Sequence, residues 1–403
     1  MDQTAEAPTQ QGLDRQIIKE IGFPRLMTVE LVDRWAEGIP KPDESIVPEF
    51  TPTDTKPLDL GRDGEVWVKD ESSNPTGTIK DRPAWELATV YRDHVARKLW
   101  LGIRAGKEGK EYRGRVYRVY DGVVYQKRYA SRRWEPVPIP KVSVVTSGNE
   151  GRALAECFER YGLPPPKLIV GEDTDQSIVE ALRKLRADIY MLNLQEKELT
   201  PQDILKYTNN TQAGIELTSN KVLEPEAIFY DWHVHETFNQ EPDMVFVPFG
   251  SGRLLENYLY WIKKTGENYD EGKARDSRLT VEPDKVAGIR LLGAEPEELD
   301  SDADKLSAAF KPFRIFKDTD LQTIDLLAIA GEGSGVYKIS EDLIQEAYAL
   351  LRANNFQAEP SAAAGLALYL KHFREGLIQG RKKVIIINTG RGLEATRSNK
   401  IAA

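Results

Sequence analysis

The 403 residues are 40% hydrophobic and 30% charged and carry a formal net charge of −9. That balance fits two globular domains and argues against a general nucleic-acid binder, which needs a basic surface. No run of about eighteen apolar residues occurs, so no transmembrane helix is expected. The polar start MDQTAEAPTQQGLDRQ is no secretory signal, and the single cysteine, Cys157, excludes an internal disulfide, so a cytoplasmic setting is expected.

Residues 1 to about 56 read as an N-terminal extension, with a short helix over Leu26–Trp35 and an irregular Pro/Asp/Thr-rich connection after it. From Glu65 strands and helices alternate. Strands are predicted over Glu65–Lys69, Val142–Thr146, Lys167–Val170, Ile189–Leu192, Met244–Pro248, Val286–Gly293 and Val384–Asn388. Helices are predicted from about Asp81 to Lys98, over Arg152–Tyr161 and Ser177–Leu185, through Tyr258–Lys263, and over Ser340–Asn354 and Ser361–Arg374. Short β-branched runs between helical patterns indicate βα units and parallel sheets. Ligands then sit at the carboxyl ends of the strands.

One segment departs from this rhythm. Residues 104–134 hold ten Lys/Arg against three Asp/Glu, and RVYRVY and VVYQKRY alternate around Asp121-Gly122. This reads as a basic β-hairpin. A solvated ribbon is favoured over an arm for an acidic partner.

Four loops follow strands. In ESSNPTGTIKDR (residues 71–82) Lys80 stands at a helix start, where helix amides and partial desolvation are expected to lower its pKa and make the neutral amine available. In TSGNEG (146–151) backbone amides at a helix N-terminus suit a carboxylate, and Asn149 suits a hydroxyl. In PFGSGRL (248–254) Gly250, Ser251 and Gly252 let amides approach a phosphate. In NTGRGL (388–393) Thr389 is a hydroxyl suited to a pyridine nitrogen. Each has a plain structural reading as a helix cap or a βα turn. Together they supply what a pyridoxal-phosphate site requires.

NPTGTIKDRPAWELA, TSGNEGRALAE, VPFGSGRL, AEPSAAAGLALYL and NTGRGL resemble, in order, the motifs of the cysteine synthase, cystathionine β-synthase and threonine synthase relatives. The resemblance runs from about Thr51 to Arg397, apart from the basic insert. It implies a two-domain α/β enzyme of fold type II (tryptophan synthase β-like), with pyridoxal 5′-phosphate in the interdomain cleft. The larger domain is expected over residues 57–84 and 196–403 and the smaller over 85–195. It implies that Lys80 carries the cofactor as a Schiff base and then acts as the base at the substrate Cα. It also implies that Asn149 meets the cofactor's 3′-oxygen, that Gly250, Ser251, Gly252, Arg253 and Leu254 cradle its phosphate, and that Thr389 faces its ring nitrogen. Ser73, Thr76, Thr146, Ser147 and Gly148 are expected around the substrate carboxylate. The implied chemistry is β-replacement or β-elimination on an activated serine through an aminoacrylate, in a homodimer. Threonine synthase or a serine/threonine dehydratase is the alternative, favoured by EPSAAAGLA and the threonine of NTGRGL. A pyridoxal-phosphate-binding scaffold with little catalysis is the alternative of another class.

Two positions depart from the family pattern. Glu150 stands where cysteine synthase relatives usually have Thr, and it should repel a substrate carboxylate unless it points away or pairs with a cation. Arg253 stands where Gly is common. His233 and His235 form an HxH pair read as structural, because no metal-spaced cluster accompanies them. Cys157 is expected to be packed, and GEGSG (331–335) reads as a flexible loop or a second anion nest. A substrate-side role for Glu359 or Ser361 is the less favoured reading.

Overall fold

The structure is a computed structural model. It describes residues 25–38, 52–60, 65–128, 132–146, 148–172, 174–194, 199–216, 230–270, 278–298, 300–306 and 327–392. Among these, Val29–Gly38 (α1) opens the fold. β1 (Thr55–Pro57) and β2 (Glu65–Asp70) follow, and then α2 (Asp81–Tyr91). α2 continues through a π-helical stretch, Arg92–Arg97, into α3 (Lys98–Lys107). The hairpin β3 (Arg115–Tyr120) and β4 (Val123–Arg128) leads to β5 (Glu135–Pro136). The next run is β6 (Val142–Val145), α4 (Asn149–Arg160), β7 (Lys167–Gly171), α5 (Gln176–Lys184), β8 (Asp188–Leu192), α6 (Pro201–Tyr207) and β9 (Ile215–Glu216). The chain continues with α7 (Asp231–Phe238), β10 (Met244–Pro248), α8 (Arg253–Asp270), α9 (Pro283–Ala287), β11 (Arg290–Pro296) and β12 (Gly335–Ile339). α10 (Glu341–Ala353), α11 (Pro360–Arg374) and β13 (Lys383–Asn388) close it.

Two sheets built around parallel pairings carry the fold. The larger has the order β1-β2-β13-β10-β11-β12, with only β1 antiparallel, and the smaller has the order β8-β7-β6-β9. Alternation along β10 shows how the larger sheet is covered. Val245 and Val247 pack into one apolar core, and Met244 and Phe246 into the other. Both faces are therefore buried, as a parallel sheet flanked by helices requires. The alanine run of α11 lets that helix lie close against β10. A Cβ on Gly365 would stand 2.8 Å from the Phe246 carbonyl oxygen.

Several expectations change. The described parts of the stretch expected as an N-terminal extension, residues 25–38 and 52–56, are built into the fold. Met27, Val32 and Trp35 are fully buried, and Trp35 Nε1 donates to the Gly162 carbonyl at 3.0 Å. Thr55–Pro57 pairs with β2 at the edge of the larger sheet. The domain boundary expected at 195 lies too early, because Ile215–Glu216 pairs with Val142–Ser143 in the smaller sheet. Helix continues to Lys107, so the insert begins later than residue 104. Val286 lies in α9, which starts on Pro283, and the strand expected there begins at Arg290. The segment read as a loop at GEGSG runs into β12 at Gly335.

The hairpin forms around Asp121-Gly122, whose φ angles of 48° and 73° are those a tight two-residue turn demands. It is more than a solvated ribbon on one face. Tyr117 and Val124 are buried, and Met27 exchanges backbone hydrogen bonds with Val124 and Val137. The other face carries charge on aromatic rings. The Arg118 guanidinium lies 4.7 Å and the Lys127 ammonium 5.1 Å from the Trp134 ring centroid.

Candidate active site

The larger sheet ends at one edge in three of the loops of interest. β2 runs into the Lys80 loop, β10 into the glycine loop and β13 into Thr389. β6 of the smaller sheet runs into the asparagine loop. The side chains that meet there stand at helix starts. Lys80 is the N-cap of α2, Asn149 and Glu150 open α4, Tyr230 is the N-cap of α7, Arg253 opens α8, and Glu359 is the N-cap of α11. Helix N-termini present unpaired N–H groups and the positive ends of their dipoles. Their convergence makes the cleft a place for anionic groups.

Lys80 Nζ lies 3.1 Å from the Tyr230 hydroxyl and 3.4 Å from Glu150 Oε2. The other carboxylate oxygen of Glu150 accepts from Arg253 Nη1 at 3.1 Å. The acidic side chain that departs from the family pattern therefore pairs with two cations. Burial would push its carboxyl up, but Lys80 and Arg253 hold it below the usual carboxylate range. The expectation of a lowered Lys80 pKa is overturned for the same reason. Burial pulls the amine down and Arg253 adds to that pull. Glu150 and the Tyr230 phenol outweigh both and raise it.

Asn149 Nδ2 donates to Glu359 Oε1 at 3.0 Å, and the other oxygen of Glu359 pairs with Lys305. Glu359, the less favoured candidate in sequence, is thus at the centre of the site. Burial pushes its carboxyl up, against the Lys305 cation. Lys305 also frames the glycine loop, since a Cβ on Gly250 would come within 2.9 Å of its carbonyl oxygen. Gly252 takes a φ of +90°, which favours glycine. Leu254 is buried in the first turn of α8. Thr389 is half-buried past the end of β13, and its carbonyl accepts from Ile79 N at 2.9 Å.

The hydroxyls expected at the substrate carboxylate have internal partners. Ser73 Oγ donates to the Asp70 carbonyl, and Thr76 Oγ1 donates to Asp81 Oδ2 at 2.7 Å. Thr146 Oγ1 accepts from Gly148 N and Gly151 N and so caps α4. Gly148 has a φ of +123°. Ser147 lies outside the described residues.

Beneath the Lys80 loop is a buried ionic cluster that the sequence did not reveal. Arg82 grips Glu71 with two hydrogen bonds of 2.6 and 2.9 Å and reaches Glu236 with two more. Lys69 pairs with Glu236, and His233 Nδ1 meets Glu71 Oε1 at 2.8 Å. Burial pushes His233 down, so two cations face two carboxylates. His233 and His235 lie on α7, and His235 stacks edge-on against Trp261. Cys157 is partly buried, with Sγ 3.5 Å from the Ala84 carbonyl. Among the described residues no group of three or more His, Cys, Asp or Glu is placed to hold a metal ion, and no helix is long and apolar enough to cross a membrane.

The residues present fit a phosphorylated aldehyde cofactor. The primary amine of Lys80 and the guanidinium of Arg253 meet on Glu150 at the start of the 18-residue helix α8, where Gly252 takes a φ that only glycine adopts readily.

Comparison with known proteins agrees with this geometry. The family described as "Pyridoxal-phosphate dependent enzyme" matches residues 113–390, a span that includes the asparagine and glycine loops and begins beyond Lys80. Three solved structures share the fold. A serine racemase from Dictyostelium discoideum is 17% identical with a TM-score of 0.51, over 94% of this chain and 97% of that one. An O-acetylserine-dependent cystathionine β-synthase from Helicobacter pylori is 17% identical with a TM-score of 0.52, over 84% and 92%. The processed form of threonine deaminase isoform 2 from Solanum lycopersicum is 13% identical with a TM-score of 0.53, over 97% and 87%. No curated protein sequence matches the chain.

Proposed function

The chain belongs to the pyridoxal-phosphate-dependent enzyme family, and from that premise we propose that it eliminates or replaces the β-substituent of an activated serine such as O-acetylserine. The observation that carries this reading is Lys80. Its amine sits at the head of α2, within 3.1 Å of Tyr230 and 3.4 Å of Glu150, facing the start of α8.

Pyridoxal phosphate, when bound, supplies an aldehyde for an amine and a ring that withdraws electrons from the substrate Cα. Lys80 would hold it covalently and afterwards move the Cα proton. Gly250, Ser251, Gly252, Arg253 and Leu254 would hold the phosphate, with the guanidinium of Arg253 as its cation. Asn149 would meet the 3′-oxygen, and Thr389 the ring nitrogen. A neutral hydroxyl there keeps the ring a weaker electron sink than a carboxylate partner would. The amides around Gly148, at the head of α4, suit the substrate carboxylate. Ser73, Thr76 and Thr146 serve its surroundings in this reading through the loops that they hold in shape, and Ser147 keeps the substrate role that the resemblance implies. We place the enzyme in the cytoplasm, which its single cysteine favours, and as a homodimer on the family resemblance.

Deamination of serine or threonine is the second reading. The threonine deaminase fold spans 97% of this chain, and EPSAAAG heads α11 with Glu359 in the site. A non-catalytic scaffold loses its support, since Glu150 is neutralised by Lys80 and Arg253. The purified holoenzyme is to be given O-acetylserine with sulfide, O-phosphohomoserine, L-threonine and L-serine in parallel. Cysteine formed from the first supports the proposal. Oxoacid from L-threonine or L-serine alone supports deamination. Turnover of O-phosphohomoserine alone, or D-serine as the only product of L-serine, would sink β-chemistry.

A further inference from the structure

Lys80, Glu150 and Arg253 form a line of charges across the cleft, and each comes from a different helix start. Glu150 is the middle member. Its side chain is 16% exposed, against 26% for Lys80 and 3% for Arg253. The carboxylate sits in the first turn of α4, where the helix dipole favours negative charge. It offers one oxygen to each cation, so the position of the amine relative to the glycine loop is set through it.

We infer that Glu150 is a positioning residue that keeps a proton on the Lys80 amine and holds that amine in register with Arg253. This rests on the proposed function, in which Lys80 is the amine that takes the cofactor. Among the described residues, three side chains face Lys80 Nζ. α4 contributes Glu150, α8 contributes Arg253, and the residue before α7 contributes the Tyr230 hydroxyl. On its own side, Asp81 is turned away and occupied by Thr76. Of these groups Glu150 is the anion in contact with the amine. Once Lys80 takes a proton from a substrate carbon it becomes an ammonium. A fixed carboxylate beside it then stabilises that state without itself changing charge. The same carboxylate slows the first loading of an aldehyde, because only the neutral amine adds to the carbonyl carbon before one water leaves.

The test uses the full-length apoprotein and pyridoxal, an aldehyde without the phosphate, so that the glycine loop does not enter the rate. The Lys80-linked adduct is fixed with borohydride and quantified by peptide mass across pH. Lys80→Ala supplies the background. In Glu150→Gln the midpoint of the capture profile should fall by about one pH unit or more, which makes capture at pH 8 about tenfold faster. Glu150→Asp, which keeps the charge, should retain the wild-type midpoint. In Arg253→Met, which removes a cation, the midpoint should rise. An unchanged midpoint in Glu150→Gln, or a Glu150→Asp profile that moves as far as that of Glu150→Gln, overturns the inference while the proposed function stands. A wild type that forms no Lys80 adduct at any pH overturns the proposed function and the inference together.

Discussion

Asn149 and Glu359 lie 210 positions apart, yet the amide of the first donates to the carboxylate of the second at 3.0 Å. The next residue, Glu150, is held by Arg253 at 3.1 Å. Two adjacent residues at the head of α4, on the smaller sheet, are thus each gripped by a residue that flanks the larger one. The cleft is joined through the residues proposed to hold the cofactor.

Asn149→Ala removes one side of that join and a proposed partner of the cofactor. One hydrogen bond to a charged oxygen contributes about 1.5–3 kcal/mol. The dissociation constant for pyridoxal phosphate should rise by roughly tenfold to a hundredfold. Equilibrium dialysis against the cofactor reads this. An unchanged constant would remove Asn149 from the cofactor site.

The Glu71–Arg82 pair is fully buried, with side-chain exposures of 0% and 1%. Arg82→Leu leaves Lys69 as the one remaining cation of this cluster against the two carboxylates of Glu71 and Glu236. Breaking a buried pair in this way costs about 3–5 kcal/mol. Urea unfolding of the apoprotein should show that loss. A loss within about 0.5 kcal/mol would mean that the cluster does not hold the Lys80 loop.

Asp81 gives a pH dependence with a definite sign. Burial pushes its carboxyl up to about 6, against the two hydrogen bonds from Thr76. The unfolded value is about 3.9, so the folded state binds more protons between the two. Its contribution to stability is present below the unfolded value and is lost as pH rises through about 6. The stability of the wild type relative to Asp81→Asn should therefore fall between pH 4 and pH 6.5, by roughly 3 kcal/mol at most. Chemical denaturation at both pH values checks it. A difference that does not change with pH contradicts the assignment.

Gly390 has a φ of +122°, and a Cβ there would overlap the Gly77 carbonyl oxygen. The isolated bridge between Thr78 and Gly390 ties the Lys80 loop to the end of β13. Gly390→Ala should destabilise the protein by at least about 1–3 kcal/mol and weaken cofactor binding with it. A thermal melt and the cofactor titration report the two effects separately. A stable variant with unaltered binding would show that the two loops are independent.

Local signals were legible in sequence where they are locally caused. The Asp-Gly turn, the apolar runs of β10 and β13 and the helix over α10 all follow from residues within the segment itself. The four loops, read at the ends of strands, did converge. Pairings between distant elements were not legible. Glu150 stood out as a departure, but its partners come from α2 and α8. Tyr230 and Lys305 went unnoticed because neither sits in a loop that carries a motif. The ionic cluster of Lys69, Glu71, Arg82, His233 and Glu236 is assembled from the end of β2, the head of α2 and α7, and no one of these segments announces its pairing with the others. The first strand-like signal near Val286 failed because Pro283 starts a helical turn, and a single apolar residue cannot distinguish the two periods.

The central claim is that Lys80 is the amine that takes the cofactor. The most direct measurement is the visible absorption spectrum of the wild type and of Lys80→Ala, each reconstituted with pyridoxal phosphate. The wild type should show the absorption band of a Schiff base, and borohydride should fix the label on the peptide containing Lys80. Lys80→Ala should lack that band, and its turnover should fall by at least about a hundredfold. A band of equal strength in Lys80→Ala, or a label fixed on another lysine, would contradict the account.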